Sequence, residues 1–238
     1  MLNKTKVLPV LALFLSIAIL YLALPRFIAS LYAAYPQFIE DRVDAESIKI
    51  ADEAYGDLER SLENANAWSV SAYHWQLKSL VATDAYFSKL DALTPDQKKT
   101  SLKKIAGDIV NGLTLTPLDS FGWYRLALIR SNDNHPSNDV IAPLKMSIVV
   151  QRVAPELLIR RITLLLDYKN DLDDAANEML QGQIRLAWQF KRQALVKLMA
   201  EQMGYKDVFN RAFSNDPEQW QAVEKLIEAS LKQSHQSQ

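Results

Sequence analysis

Apolar residues recur at spacings of three and four along most of this chain, and no long stretch alternates apolar with polar. That period belongs to helices that bury one face. The first segment breaks the rhythm. From Val7 to Leu24 the chain is uncharged and mostly apolar for 18 residues. At about 1.5 Å per residue such a helix reaches roughly 27 Å, close to the ~30 Å hydrocarbon thickness of a bilayer. Lys4 and Lys6 precede it and Arg26 follows. The basic excess on the short side predicts a cytoplasmic N-terminus. Tyr21 falls near the far interface. Pro25 is expected to kink or end the span, and "RFIASLYAAY" carries the apolar character on to Pro36.

A cleaved signal peptide is the competing reading. The run is longer than the usual apolar region of about 7–15 residues. Cuts after Ala23 or Ala34 would put Tyr21 or Tyr32 where a small residue belongs. An uncleaved anchor is therefore expected. The predicted organisation is 1–36 as cytoplasmic N-terminus, transmembrane anchor and juxtamembrane segment, 37–232 as an extracytoplasmic helical-repeat domain, and 233–238 as a flexible tail.

Within 37–232, "DAESIKIADEAYGDLERSLENA" places Ile48, Ala51, Tyr55, Leu58 and Leu62 on one face, with acids outward. "WSVSAYHWQLKSLVATDAYFSKLDAL" reads as a further helix. "TPDQKKTSLKKIAGDIVNGLTL" opens with Thr94 as cap, Pro95 in the first turn and Gln97 behind it. "TPLDSFGWYRLALIRSND" places Thr116 as cap and Pro117 in the first turn. "DVIAPLKMSIVVQRV" and "APELLIRRITLLLDYK" follow. "LDDAANEMLQGQIRLAWQFKRQALVKLMAEQMG" is one long helix or two. "DPEQWQAVEKLIEASLKQ" starts with Asp216 as cap and Pro217 in the first turn. Pro117 and Pro155 lie 38 positions apart, which aligns Leu126 with Leu164. Two helices per roughly 34–40 residues is the period of tetratricopeptide-like arrays. The expected fold is all-α: an N-terminal transmembrane helix, then a TPR-like helical-repeat domain of about eight to ten helices. An irregular helical bundle of the same content is the alternative.

Composition supports this class. The chain has 238 residues, a net charge of −1 and only 6 glycines. The charge balance argues against a nucleic-acid binder. There is no cysteine, so disulfides and thiolate chemistry are excluded. His74, His135 and His235 have no partners at metal-ligand spacing. No nucleophile elbow, phosphate loop or paired acid–base motif is present, and the acids Asp173 and Asp174 suit a helix N-terminus. No catalytic residue, cofactor or metal is expected, and the chain reads as a non-enzyme.

Two features could serve binding. Arg185, Trp188 and Arg192 share a helical face at i, i+3 and i+7, inside a stretch without acids from Gly182 to Ala200. Such a strip suits an anionic partner, with the indole against a guanidinium. It equally suits a solvated basic face set against the acidic "DYKNDLDDAANE" before it. The aromatic groups Trp68, Tyr73, Trp75 and Phe121, Trp123, Tyr124 suit packing between helices, or a platform for sugars.

At "LTLTPLDSFGWYRLALIR" and "QIRLAWQFKRQALVKLMA" the chain resembles the VpsP-type, tetratricopeptide-like membrane-anchored accessory proteins of bacterial exopolysaccharide and O-antigen loci. The resemblance spans the anchor and the middle and late helices. It implies a role in polysaccharide assembly or export at the cytoplasmic membrane, and it brings no catalytic residues with it. The expected function is a scaffold in the bacterial inner membrane with its helical domain in the periplasm. It would dock a protein partner, with polysaccharide contact compatible. The alternatives are an accessory subunit of a secretion or respiratory complex, and an envelope enzyme acting on glycans.

Overall fold

The computed structural model describes residues 4–46, 50–51 and 53–236, with side-chain surroundings over 9–39, 50–51 and 53–229. It is all-helical: among the described residues there are eleven α-helices and no strand. The chain divides into two compact units, Met1–Pro117 and Leu118–Gln238. The division at residue 36 expected from sequence falls inside the first helix.

In the first unit, α1 (Lys4–Glu46) is one helix of 43 residues that contains Pro9, Pro25 and Pro36. Pro25 does not end it, contrary to expectation. Each proline removes one backbone donor, but Leu- and Ala-rich flanks favour helix on both sides. Pro9–Ile39, with a mean hydropathy of 2.2, is long and apolar enough to cross a membrane. At about 1.5 Å per residue its 31 residues reach roughly 46 Å. The hydroxyls of Ser16 and Ser30 donate back to the carbonyls of Ala12 and Arg26, so neither needs an outside partner.

The far half of α1 is also part of a core. Ala29 and Ala33 pack with Tyr55, Leu58, Leu62 and Ala65 of α2 (Ala54–Trp68) and with Leu77 and Val81 of α3 (Ala72–Ser88). Alanine at the contact lets two helix axes approach closely. Ser61 Oγ donates to the Tyr32 carbonyl at 2.6 Å across the same seam. Of the expected face, Tyr55, Leu58 and Leu62 are buried, Ala51 is exposed and precedes α2, and Ile48 lies outside the described residues. α4 (Pro95–Leu115) begins with Thr94 as cap, as read, and adds a reciprocal capping box: Gln97 N donates to Thr94 Oγ1, and Thr94 N to Gln97 Oε1. α4 lies close to α3 at Gly112, where an added Cβ would meet the Trp75 Cβ at 3.4 Å.

An ionic network ties α2, α3 and α4. The buried ammonium of Lys78 sits 3.3 Å from Asp108 and 3.1 Å from Glu63, and Lys104 pairs with Glu59 at 2.6 Å. Asp108 Oδ2 is buried without a hydrogen-bond partner. Burial raises the Asp108 carboxyl above its ordinary range, and Lys78 partly offsets this.

The second unit contains α5 (Ser120–Asn132), α6 (Ser137–Val150), α7 (Pro155–Asp167), α8 (Asp174–Phe190), α9 (Arg192–Glu201), α10 (Lys206–Ala212) and α11 (Pro217–Gln236). Residues 233–236 of the expected tail are helical, and 237–238 lie outside the described residues. α5 and α6 pack together across a short turn in which Asn134 has φ 54°, a left-handed position that asparagine tolerates. α7 packs on α8, and α8 packs on α10. α8 and α9 are two helices, broken at Lys191.

The sequence placed Thr116 as the cap of α5 with Pro117 in its first turn. Instead Asp119 caps α5, accepting from Phe121 N at 3.0 Å. Thr116 ends α4, its hydroxyl donating to the Gly112 carbonyl. Pro155 is the first residue of α7, whereas Pro117 precedes α5, so the two prolines are not equivalent. Leu126 and Leu164 are nevertheless both buried. The cap Asp216 stands as read, accepting from Gln219 N, and Asp173, read as an acid at a helix N-terminus, caps α8 by accepting from Ala176 N.

Two outcomes follow from this packing. Leu126→Ala should destabilise the protein by about 2–5 kcal/mol in urea unfolding, because it leaves a cavity at a site 2% exposed. Lys78→Met should cost about 3–5 kcal/mol near neutral pH, by removing the cation paired with the buried Asp108. The folded chain holds the Asp108 proton more tightly than the unfolded chain does. Its contribution therefore falls as pH rises from the ordinary carboxylate value through the raised one. Removing Lys78 raises that carboxyl further, so the loss should shrink on acidification. A loss that grows toward acid would contradict this.

Candidate functional site

The second unit is organised around a charged residue on an apolar face. Along α7, Leu157, Leu158, Ile162 and Leu165 are fully buried, and Arg161 among them is 0% exposed. Its guanidinium makes five hydrogen bonds. Nε donates to Ser147 Oγ at 3.0 Å, and Nη2 to the same oxygen at 2.9 Å and to the Ser147 carbonyl at 2.6 Å. Nη1 donates to the Gln151 carbonyl at 2.9 Å and to Gln183 Oε1 at 3.5 Å. No carboxylate pairs with it among the described residues. The carbonyls it reaches lie at the C-terminus of α6, where the helix dipole is negative. Burial lowers its pKa to about 10, so it stays charged at neutral pH.

The network reaches the neighbouring helices. Ser147 Oγ donates onward to the Ser120 carbonyl at 2.7 Å, and Ser120 Oγ donates to Gln151 Oε1 at 2.6 Å. Gln183 Nε2 donates to the Arg152 carbonyl at 3.0 Å. α5, α6, α7 and α8 are thereby held in fixed register.

Beside this network a cleft of about 670 Å³ opens between the end of α6, one face of α8 and the α10–α11 connection. Arg152 and Arg185 line it, and neither is in an ion pair among the described residues. Arg185 Nη1 donates to the Ala212 carbonyl at 3.1 Å, which fixes its stem. Gly182 lies between them. A Cβ there would meet only Arg152 Nη2, at 4.0 Å, so the missing side chain is what leaves the floor open. Glu178 also lines the cleft, as does Asp216, which is engaged in capping α11.

The three residues singled out from sequence do not form one exposed strip on a continuous helix. Arg185 and Trp188 are on α8, and Arg192 starts α9 beyond the break. Trp188 is in the core, 6% exposed, edge-on to Phe213 at 6.0 Å. Phe213 in turn stacks on Trp220. The guanidinium of Arg192 lies 4.4 Å from the Trp188 ring centre, so the expected cation–π contact is made. The two arginines are exposed. Sequence reading missed Arg152, Arg161 and Gln183. The legible signal was an arginine at a core position of the α7 period.

The remaining candidates are dispersed. His74 is buried with Nδ1 3.2 Å from the Ser69 carbonyl, and burial lowers its pKa. His135 sits on an exposed turn, 3.1 Å from Asp133. The side chain of His235 lies outside the described residues. Trp68, Tyr73 and Phe121 are exposed, whereas Tyr124 is buried. No protein-family model matches the chain, and comparison with curated proteins finds no match.

The geometry separates the roles of Trp188 and Arg192. Trp188→Ala should cost about 3–5 kcal/mol of stability by emptying a core site. Arg192→Ala should cost about 0.5–1 kcal/mol, the size of an exposed cation–π contact. Denaturant unfolding of the two variants checks this. Equal losses would mean that the tryptophan is not structural.

Proposed function

We propose that this chain is a membrane-anchored, non-catalytic docking module of the bacterial envelope. The single observation that carries the reading is the double use of α1. Its apolar length suits a bilayer, and Ala29 and Ala33 of the same helix are core residues of the first unit. Cleavage after Ala34 would remove both from that core, so an uncleaved anchor is favoured over a leader. Lys4 and Lys6 favour a cytoplasmic N-terminus and a periplasmic helical part.

The repeat reading draws support from the helix starts. The first residues of α5, α7 and α9 are Ser120, Pro155 and Arg192, 35 and 37 positions apart, near the period of TPR-like arrays. Stacked helix pairs present extended surfaces that suit protein partners. Arg185 and Arg192 belong to the surface we assign to docking. The link to exopolysaccharide or O-antigen assembly rests on the resemblance to VpsP-type proteins.

Alkaline phosphatase fused after Gln238 should be active in a bacterial host, and the fusion should stay with membranes after an alkaline carbonate wash. Activity of a cytoplasmic reporter at that position, or release into the wash, would overturn the reading.

A further inference from the structure

We infer that the cleft bounded by Arg152, Gly182 and Arg185 binds an acidic, extended peptide segment of a protein partner. This deepens the docking reading and rests on it for the partner being a protein.

Three observations carry the inference. Two exposed guanidiniums face one cleft without a carboxylate partner, although acids are as abundant in the chain as bases. Behind them the charge of Arg161 is met by neutral acceptors, the Ser147 and Gln151 carbonyls, Ser147 Oγ and Gln183 Oε1, and a helix C-terminus supplies only about half a unit of negative charge. The site therefore favours an anion. Glu178 and Asp216 on the same lining limit how far a run of acids can extend, since they would repel them.

Second, the spacing fits a strand. Arg152 Nη2 lies 4.0 Å from the Cβ position of Gly182, and Arg185 is three residues along the same helix. The Cβ positions of residues so spaced stand roughly 5–6 Å apart. Alternate side chains of an extended peptide lie about 6.6 Å apart, which is the same scale. Gln181, Asn215 and Gln219 on the lining offer amides, which suit a peptide backbone.

Third, the walls favour a peptide over a sugar. The aromatic ring on the lining belongs to Phe213, which is 2% exposed and gives no face for a pyranose to stack on. Val149, 63% exposed, and Met179 provide aliphatic contacts instead.

The test uses the full chain in detergent micelles and a fluorescein-labelled hexaglutamate peptide, read by anisotropy. Saturable binding that weakens as salt rises is expected, with no saturable binding of labelled hexaglutamine. The double variant Arg152→Ala/Arg185→Ala should weaken binding at least about tenfold, as expected for the loss of two charge-assisted contacts. Gly182→Leu should do the same by filling the floor while leaving both charges in place. Lys225→Ala, an exposed cation of the same unit that is not on the lining, should bind as the parent does. Circular dichroism keeps the readout honest: the weakening counts only with parental helicity, and if either cleft variant unfolds, the other decides. Parental binding by a folded cleft variant would overturn the proposal. So would displacement of the peptide by equimolar inorganic phosphate or galacturonate trisaccharide, which would assign the cleft to a free anion or an acidic glycan. The membrane assay of fused phosphatase is independent of this one, so a wrong topology and a wrong ligand are told apart.

Discussion

The second unit depends on one buried guanidinium. Placing Arg161 at a core position of α7 costs desolvation that apolar packing alone cannot offset. The cost is met by saturating all its donors, largely on the end of α6. A helix end buried without partners would itself be unfavourable. Acceptors at the end of α6 meet donors that α7 cannot leave empty: the Gln151 carbonyl, and the Ser147 carbonyl, which also accepts from Gln151 N. A leucine at this position would fill the space and remove the guanidinium donor from the Gln151 carbonyl. The arrangement is directional where apolar contacts are not. It fixes the rotation of α7 against α6, and through Gln183 and Ser120 it fixes α8 and α5. The cleft walls inherit that precision, because Gln183 holds the backbone of Arg152.

The first unit solves a different problem. An anchor helix joined to a folded body by a loose linker would leave the body free to turn. Here α1 carries the packing surface on its own far half. Ala29, Ala33 and the buried Pro36 form a face with small protrusions. The opposite side of the same stretch exposes Phe27, Leu31, Tyr35 and Phe38, which continue the apolar surface of the membrane-length segment. Helix periodicity sets these faces apart: 29, 33 and 36 fall on one side, and 27, 31 and 38 fall on the other. The ionic network of Lys78, Asp108 and Glu63 then sets the register of α2, α3 and α4, at the cost of a carboxylate oxygen left without a partner.

Much of this was legible in the sequence because it is local. The caps at Thr94 and Asp216 and the buried positions Tyr55, Leu58 and Leu62 depend on neighbours within a few residues. The all-α class follows from a period repeated throughout. What was not legible depended on contacts distant in sequence. Pro25 reads as a stop by its local rule, yet α1 continues through it. Thr116 and Asp119 are equally plausible caps until the hydroxyl of Thr116 is seen to serve α4. The break at Lys191 has no glycine or proline to mark it. Spacing alone put Trp188 between two arginines; whether that face was inside or outside was a tertiary question. Arg161 was missed for the same reason, since a charge on an apolar face is conspicuous only once the face is known to be core.

The exposed arginines of the cleft make sense in physical terms when the chain is held at a membrane. Charged contacts in a partly open cleft are weak singly, because solvent screens them and long side chains lose entropy on binding. Such a site in free solution would bind an acidic segment only transiently. Tethering changes the arithmetic without changing the contact. Two partners confined to one membrane meet at an effective concentration set by their geometry, so a weak contact becomes populated. On the membrane-anchored module proposed above, such a cleft is suited to an interaction that must be reversible. A deeply buried ion pair would suit a permanent complex. That the strongest buried charge of the unit, Arg161, is spent on holding four helices in place rather than facing the cleft is consistent with the same division: the fixed frame is dry and saturated, and the contact surface is wet and open.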